Sequence, residues 1–309
     1  MAKLIQKIVA LKTRRDFGNS DKKRDAGQTT PADITRFDNI LYGTDQKFKQ
    51  WQLLDVYRPK AESSDLNNLS KLPVIVSVHG GAWVYGNKDV YQWYCMRLAQ
   101  RGFAVVNFSY RLVPETKFPC AIEDTENVFQ WIAANADKYG FDLNNVFAVG
   151  DSAGAHLLAI YASAITNPEY AKNYPFIEPK HLTLRGVALN CGKYNMDPSL
   201  EKTPHMKLLV EAILQGKITK EGLDLIDASA HVTKDFPPTF VMTCEGDFLK
   251  EEAAIIKASL DAAGVQNEYH CYASVEKPLW HVFHLDLKLE EATRCNNDEC
   301  NFLKSKISR

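Results

Sequence analysis

The sequence lacks a long uncharged apolar run, and without one no membrane-spanning helix is expected. Its longest uncharged stretch in the middle of the chain, residues 152–168, still carries Ser, Gly, His, Thr and Asn side chains. The N-terminal segment also lacks the continuous apolar core and small-residue cleavage site of a signal peptide, because Lys and Arg interrupt it. We therefore expect a cytoplasmic protein with no membrane insertion.

An excess of charge of either sign is lacking as well. Lys and Arg together number 37, Asp and Glu together number 38, and the formal net charge is −1. Such a balance builds no basic field of the kind that attracts nucleic acid or an anionic membrane surface, so neither partner is expected. Hydrophobic residues make up 45% and charged residues 24% of the chain, which excludes the disordered and collagen-like classes.

Paired cysteines and metal-binding motifs are missing too. The seven cysteines are an odd number, are dispersed and contain no C-x-x-C, so we expect reduced thiols. No group of His, Cys and Asp has the spacing of a zinc site, and H-E-x-x-H is absent. The sequence therefore predicts neither a bound metal nor a cofactor.

The sequence does contain apolar strand-like runs that alternate with amphipathic helical segments. Residues 73–79 and 102–108 read as strands, and residues 119–138 read as a helix with one apolar face. This alternation predicts βαβ units with helices on both faces of a mostly parallel sheet. Residues 192–236 interrupt it with two helix-like pieces, as insertions over a site commonly do. No linker divides the chain, so we predict a single domain over residues 1–309.

The pentapeptide Gly-Asp-Ser-Ala-Gly at residues 150–154 fits the pattern G-x-S-x-G. It follows an apolar strand directly and opens an Ala- and Leu-rich helix, which is the context of a nucleophile elbow. A side chain at either glycine would clash with the strand or the helix, and the sharp turn raises the serine hydroxyl off the sheet. Ser152 is therefore the predicted nucleophile. A phosphate-binding or purely structural turn is the alternative.

A second glycine-rich turn, HGGAW at residues 79–83, follows the strand over 73–79. Consecutive glycines let a backbone approach a ligand closely. The N–H groups of Gly80 and Gly81, together with that of Ala153, are predicted to form an oxyanion hole. The alternative is an ordinary tight turn after a strand.

With these two motifs the chain resembles the α/β-hydrolase superfamily, and within it the hormone-sensitive-lipase-like carboxylesterases and short-chain acyl esterases. The resemblance runs from about Leu53 to the C-terminal helix and includes YRLVPETKFP at 110–119, FPPTFV at 236–241 and HVFH at 281–284. It implies the α/β-hydrolase fold: a mostly parallel eight-stranded sheet with helices on both faces and a small helical cap.

The resemblance further implies which segments cover the site. The cap corresponds here to residues 1–35, in which polar chain broken at Gly18 follows a short amphipathic helix, and to the helical insertion 192–236. The family usually has a third glycine where Ala82 stands, so its methyl group is expected to narrow the acyl site. Ala82 and Trp83 are the candidate pocket residues.

A serine esterase also needs a base and an orienting carboxylate, in the chain order Ser, Asp or Glu, His. The family pattern aligns Asp247 with the acid, and Glu245 is the competing carboxylate. Only His281 and His284 follow the acid and the last predicted strand. The family's His-x-Phe pattern selects His281, so Ser152, Asp247 and His281 form the predicted triad.

Together these features predict a serine carboxylesterase that hydrolyses short-chain acyl esters through an acyl-enzyme intermediate. Its expected partner is a small-molecule ester. Three alternatives stay open: an acetyl esterase acting on acylated sugars or oligosaccharides, a peptidase or amidase, and a catalytically silent small-molecule binder. The sequence also leaves open whether the chain forms a homo-oligomer.

Overall fold

An eight-stranded β-sheet forms the centre of the computed structural model, which describes residues 2–60, 70–177, 182–196 and 204–308. The strands are β1 (Ile34–Leu41), β2 (Leu53–Pro59), β3 (Leu72–Val78), β4 (Ala104–Phe108), β5 (Phe141–Asp151), β6 (Leu184–Asn190), β7 (Thr239–Cys244) and β8 (Asn267–Tyr272). The helices are α1 (Ala2–Arg24), α2 (Lys88–Gln100), α3 (Cys120–Ala134), α4 (Ala136–Tyr139), α5 (Ala153–Thr166), α6 (Pro168–Ala171), α7 (Pro204–Leu214), α8 (Lys220–Ile226), α9 (Lys250–Ala262) and α10 (Glu290–Ser305).

The strand order across the sheet is β1-β2-β4-β3-β5-β6-β7-β8. The pairs β1–β2 and β2–β4 are antiparallel, and every pair from β4–β3 to β7–β8 is parallel. The predicted mostly parallel eight-stranded sheet is therefore confirmed. Because β3, β5, β6 and β7 run the same way, the loops after them meet at one edge of the sheet.

Both faces of the sheet are covered by helices, as the resemblance implied. Successive residues of β3 point to opposite faces, so Val74 and Val76 join one buried cluster and Ile75 joins the other. Apolar side chains of α3, α5 and α9 complete the first cluster, and those of α2 and α10 complete the second. Burial on both faces explains the nearly continuous β-branched runs of the parallel strands.

Helix α1 extends over 23 residues and passes through Gly18, so the predicted break at this glycine is wrong. A glycine inside a helix costs about 1 kcal/mol relative to alanine. Tertiary contacts on either side of it offset this cost. The Phe17 ring packs edge-on against Tyr85 at 5.8 Å, and the Tyr85 hydroxyl donates a hydrogen bond to Asp21 at 2.7 Å.

The segment between β6 and β7 contains α7 and α8, close to the two helix-like pieces of the predicted insertion. Residues 197–203 of that insertion lie outside the described residues. The Thr219 side chain accepts a hydrogen bond from Gly222 N–H and so caps the start of α8. Helix α7 contacts α1, where the Gln6 side chain donates to the Glu211 carbonyl at 3.2 Å.

Candidate active site

Ser152 lies in the sharp turn between β5 and α5. Its backbone has φ 53° and ψ −119°, a strained conformation for a residue with a side chain. The turn is fixed by a hydrogen bond from Ser152 N–H to the Asn190 carbonyl at 2.9 Å. A Cβ at Gly150 would lie 2.7 Å from the Gly154 carbonyl oxygen, which explains why glycine is required there. The serine is thus held at the carboxyl edge of the sheet.

His281 connects the serine to a carboxylate. Its Nε2 lies 2.9 Å from Ser152 Oγ, and its Nδ1 lies 2.7 Å from Asp247 Oδ1. The structure therefore brings together the three residues that the sequence predicts as a triad, although 95 positions separate Ser152 from Asp247 and 34 separate Asp247 from His281. In this arrangement a histidine can accept the serine proton while the carboxylate fixes its tautomer.

The Asp247 carboxylate is buried and firmly held. Burial by itself raises its pKa, but hydrogen bonds from His281, Leu249 N–H and the Cys191 thiol hold the pKa below its ordinary value. Thr243 also donates to its second oxygen at 3.0 Å. The carboxylate therefore stays ionised at neutral pH and can stabilise a positive charge on the histidine.

The competing residues are placed elsewhere. Glu245 is exposed at the surface. His284 is fully buried, its ring nitrogens have no hydrogen-bond partner among the described residues, and burial lowers its pKa to about 3. His156 is also buried: it accepts from Trp83 Nε1 at 3.0 Å, and its Nε2 lies 2.7 Å from the Ile226 carbonyl. Each of these histidines is a neutral part of the core.

The three N–H groups predicted to bind an oxyanion differ in whether they already have a hydrogen-bond partner in the protein. Gly80 N–H donates to the Tyr91 hydroxyl at 2.9 Å, and this hydroxyl donates to Asp151 at 2.7 Å. Within the described part of the chain, the N–H groups of Gly81 and Ala153 have no hydrogen-bond partner. Gly81 and Ala153 can therefore serve a ligand oxygen directly, whereas Gly80 fixes the turn.

Asp151, next to the serine, is buried beneath this turn. Burial raises its pKa to about 7, although the Tyr91 hydrogen bond and the charges of His281 and Arg24 oppose the rise. A substantial fraction of the carboxyl group is therefore neutral near pH 7. This limits the negative charge close to the N–H groups on which an oxyanion would rest.

A cavity of about 800 Å³ opens onto Ser152 and His281. The candidate pocket residues Ala82 and Trp83 are among the residues that line it. Most other lining side chains come from α1, from α7 and from the segment around the start of α9. They are Phe17, Ser20, Asp21, Arg24, Met206, Leu209, Phe248, Leu249, Glu251, Glu252 and Ile255.

One group of described residues has the donor types of a metal site. Ligand atoms of Cys191, Asp247 and His281 lie within 4.8 Å of one another. However, His281 Nδ1 and Asp247 Oδ1 are only 2.7 Å apart. Two ligands of a tetrahedral zinc ion would be separated by about 3.3 Å or more. The geometry fits a hydrogen-bonded pair, and we assign no metal to it.

Comparison with known families identifies this architecture. The family model described as having the alpha/beta hydrolase fold matches residues 75–285, which is more than half of the chain. The chain belongs to this α/β-hydrolase family. The matched region begins in β3 and contains the serine turn, Asp247 and His281.

Several known relatives of this α/β-hydrolase are esterases. It is 32% identical over 209 residues to the esterase LipC of Mycobacterium tuberculosis, covering 66% of this chain and 49% of the relative. It is 29% identical over 244 residues to the versiconal hemiacetal acetate esterase of Dothistroma septosporum, covering 73% and 70% of the two chains. The hydrolase therefore spans about half the length of the mycobacterial relative.

Solved structures show the same fold. Esterase B from Lactobacillus rhamnosis superimposes with a TM-score of 0.85 at 23% identity, covering 98% of this chain and 96% of that one. The carboxylesterase EstE1, cloned from a metagenomic library, superimposes with a TM-score of 0.74 at 22% identity, covering 97% and 98%. Among the described helices of the hydrolase, none is long and apolar enough to cross a membrane.

Proposed function

We propose that this α/β-hydrolase is a serine carboxylesterase that acts on short-chain acyl esters. The observation that carries the proposal is the position of His281, which is hydrogen-bonded to Ser152 on one side and to Asp247 on the other. Its relatives named as esterases support the same reaction class. Because Ser152 and His281 both line one large cavity, a small ester can reach them.

In the proposed reaction, Ser152 Oγ attacks the ester carbonyl while His281 Nε2 takes the hydroxyl proton. The histidine then donates this proton to the departing alcohol, leaving an acyl group on the serine. Water next attacks the acyl-enzyme, with His281 again accepting a proton and returning it to the serine as the carboxylic acid leaves. Asp247 stabilises the imidazolium in both halves of the reaction.

The oxyanion of each tetrahedral intermediate is assigned to the N–H groups of Gly81 and Ala153. Both are free of protein partners in the described residues, and Ala153 begins α5, where the helix dipole favours negative charge. Gly80 supports the site through its hydrogen bond to Tyr91 rather than by binding the oxyanion itself.

The cap is assigned to residues 1–35 and 192–236. Side chains of α1 such as Phe17 and side chains of α7 such as Leu209 line the cavity that contains Ser152, which supports a role for both segments in covering the substrate. Their assignment to the same single domain as the sheet is supported by Ala10 of α1 and Ile213 of α7, which are buried in the main core cluster.

Asp247→Asn should lower kcat by roughly 10⁴, because an amide favours the wrong histidine tautomer and cannot stabilise the imidazolium. Glu245→Gln is the matched control: it removes an exposed carboxylate two residues away and should change kcat by less than about twofold. Steady-state kinetics on p-nitrophenyl acetate measures both. A larger loss for Glu245→Gln than for Asp247→Asn would reverse the assignment of the acid.

Acyl-chain length should have a clear optimum. A cavity of about 800 Å³, which Ala82 helps to line, must hold both the acyl and the alcohol parts. Each buried CH₂ contributes about 0.8 kcal/mol only while there is room for it, so kcat/KM should peak at roughly two to six acyl carbons. A series of p-nitrophenyl esters from acetate to palmitate measures this. A preference for dodecanoyl or longer chains would contradict the proposal.

The alternatives are separated in the same assay. Acetylated oligosaccharides and amide substrates are run beside the p-nitrophenyl esters, and a fluorophosphonate probe tests for an activated serine. A labelled protein that cleaves simple esters fits the carboxylesterase. Faster cleavage of acetylated oligosaccharides indicates the acetyl esterase, faster amide cleavage indicates the amidase, and an unlabelled, inactive protein indicates a silent binder.

A further inference from the structure

The outward face of α1 has several large apolar side chains that remain exposed and are not buried against the rest of the described protein. They recur at helical spacing along its first three turns, so they form one stripe. We call this set the α1 stripe; its members and exposed fractions are Leu4 at 63%, Ile5 at 41%, Ile8 at 57% and Leu11 at 62%.

Positive charge accompanies the α1 stripe. The helix has no acidic residue before Asp16, although five lysines and arginines precede that position. Arg15 pairs with Asp16, but Lys7 and Lys12 are exposed and have no carboxylate within ion-pair distance in the described part of the chain. The near-zero net charge of the whole protein therefore conceals a local basic region.

A groove of about 450 Å³ lies beside the α1 stripe and is lined by three exposed lysines, Lys7, Lys47 and Lys117. Lys7 belongs to both features, since it lies on α1 between members of the stripe. The groove contains one carboxylate, Glu115, which is already bound by both terminal nitrogens of Arg14 at 2.7 and 2.8 Å. We call these three lysines the basic groove.

We propose that the α1 stripe and the basic groove dock this protein on the surface of a membrane that contains anionic phospholipid. An interfacial helix needs apolar side chains to enter the acyl boundary and nearby lysines to meet the phosphates. Here the two features adjoin at Lys7, which lies on α1 and lines the basic groove. The basic groove offers room for a lipid headgroup next to the apolar residues that would contact its chains.

The other occupants fit the observed chemistry less well. A nucleic acid would use the lysines but would leave Leu4, Ile8 and Leu11 exposed. A second copy packed on the stripe about a two-fold axis would bring the same lysines of both copies together, and like charges in an interface oppose association. An anionic bilayer matches the apolar and the charged parts together.

Docking does not require α1 to leave the fold. Its inner side is held by Ala10, which is buried in the core, and by Arg14, whose Nε donates to the Val84 carbonyl at 2.7 Å. The C-terminal half of the same helix lines the cavity at Ser152 through Phe17 and Arg24. A docked α1 would therefore place one wall of the substrate cavity next to the lipid surface.

The test is sedimentation of the protein with vesicles of phosphatidylglycerol mixed with phosphatidylcholine, compared with vesicles of phosphatidylcholine alone. We expect binding at least about tenfold tighter to the anionic vesicles, and weaker binding as salt is raised. Ser152→Ala should bind as the wild type does, so the result does not depend on whether the proposed hydrolysis is correct.

Two double variants test the two parts of the surface. Ile8→Glu with Leu11→Glu, and Lys7→Glu with Lys117→Glu, should each weaken binding to anionic vesicles by about tenfold or more. The matched controls Val275→Glu and Lys234→Glu change exposed residues elsewhere and should bind as the wild type does. Because all six side chains are exposed, the variants should fold.

Three results would overturn the proposal. The first is equal binding of the wild type to anionic and neutral vesicles, and the second is unchanged binding by both double variants. The third is the absence of vesicle binding together with a dimer, detected by light scattering, that Ile8→Glu with Leu11→Glu dissociates. That last result would assign the α1 stripe to a contact between copies.

Discussion

Ser152→Ala should lower kcat for ester hydrolysis by roughly 10⁶, because members of a triad act as a unit and the reaction loses its nucleophile. The fold should be unaffected. The side-chain hydroxyl of Ser152 is hydrogen-bonded to His281, and alanine keeps the Cβ that already occupies the strained turn. Steady-state kinetics on p-nitrophenyl acetate, with circular dichroism to verify folding, measures the effect.

The matched control is Ser20→Ala, which removes an exposed hydroxyl from the α1 wall of the same cavity. This variant should keep most of the activity and should still react with a fluorophosphonate probe. Ser152→Ala should not be labelled at all. Retention of about a tenth of wild-type activity by folded Ser152→Ala would show that another group supplies the nucleophile.

His281→Ala should cause a loss as large as that of Ser152→Ala, since the serine then has no base at 2.9 Å to accept its proton. Stability should change little. The His281 side chain is 18% exposed and lies in the wall of the cavity rather than in the core. Kinetics of the single variants and of the double variant with Ser152→Ala should all give the same residual rate.

His284→Phe is the control for this prediction. The ring of His284 is fully buried, and neither of its nitrogens has a partner in the described residues, so phenylalanine, whose ring is somewhat larger, breaks no hydrogen bond there. Its kcat should stay within a few-fold of the wild type. An active His281→Ala enzyme beside a folded but inactive His284→Phe enzyme would make His284 the base.

Much of the site could be predicted because its parts are encoded in short, contiguous patterns. The turn at Ser152 depends on residues 150–154 and on the strand and helix that flank them, all of which are adjacent in sequence. Steric requirements act within this segment, because a Cβ added at Gly150 would lie only 2.7 Å from the Gly154 carbonyl oxygen. The alternation of strands and helices likewise follows from local periodicity.

The acid and the base were predicted by a different argument. Family resemblance favoured Asp247 over Glu245 and His281 over His284. The sheet explains how residues that follow β7 and β8 can reach the serine turn after β5, because loops after parallel strands meet at one edge. The observed burial of Asp247 and exposure of Glu245 follow from packing, which no local pattern reports.

Contacts between distant segments decided the remaining features. Gly18 read as a helix breaker because propensity is local, yet Tyr85, far along the chain, packs on Phe17 and bonds Asp21 and so holds the helix together. The sequence predicted Gly80 N–H as an oxyanion donor. Its actual partner, the Tyr91 hydroxyl, reaches it only when α2 packs on the sheet, which the sequence does not show.

Sequence pattern alone was therefore enough for the alternation of strands and helices and for the serine turn, since these rest on local periodicity and sterics. The eight strands and the chain order of the predicted triad came from the family resemblance. Tertiary structure alone decided which N–H groups have no protein partner and can bind an oxyanion. It also decided which side chains line the cavity and which apolar residues of α1 are exposed. The physical reason is the same in each case. Burial and hydrogen bonding between segments far apart in sequence depend on how those segments pack, and a local sequence period does not determine that packing.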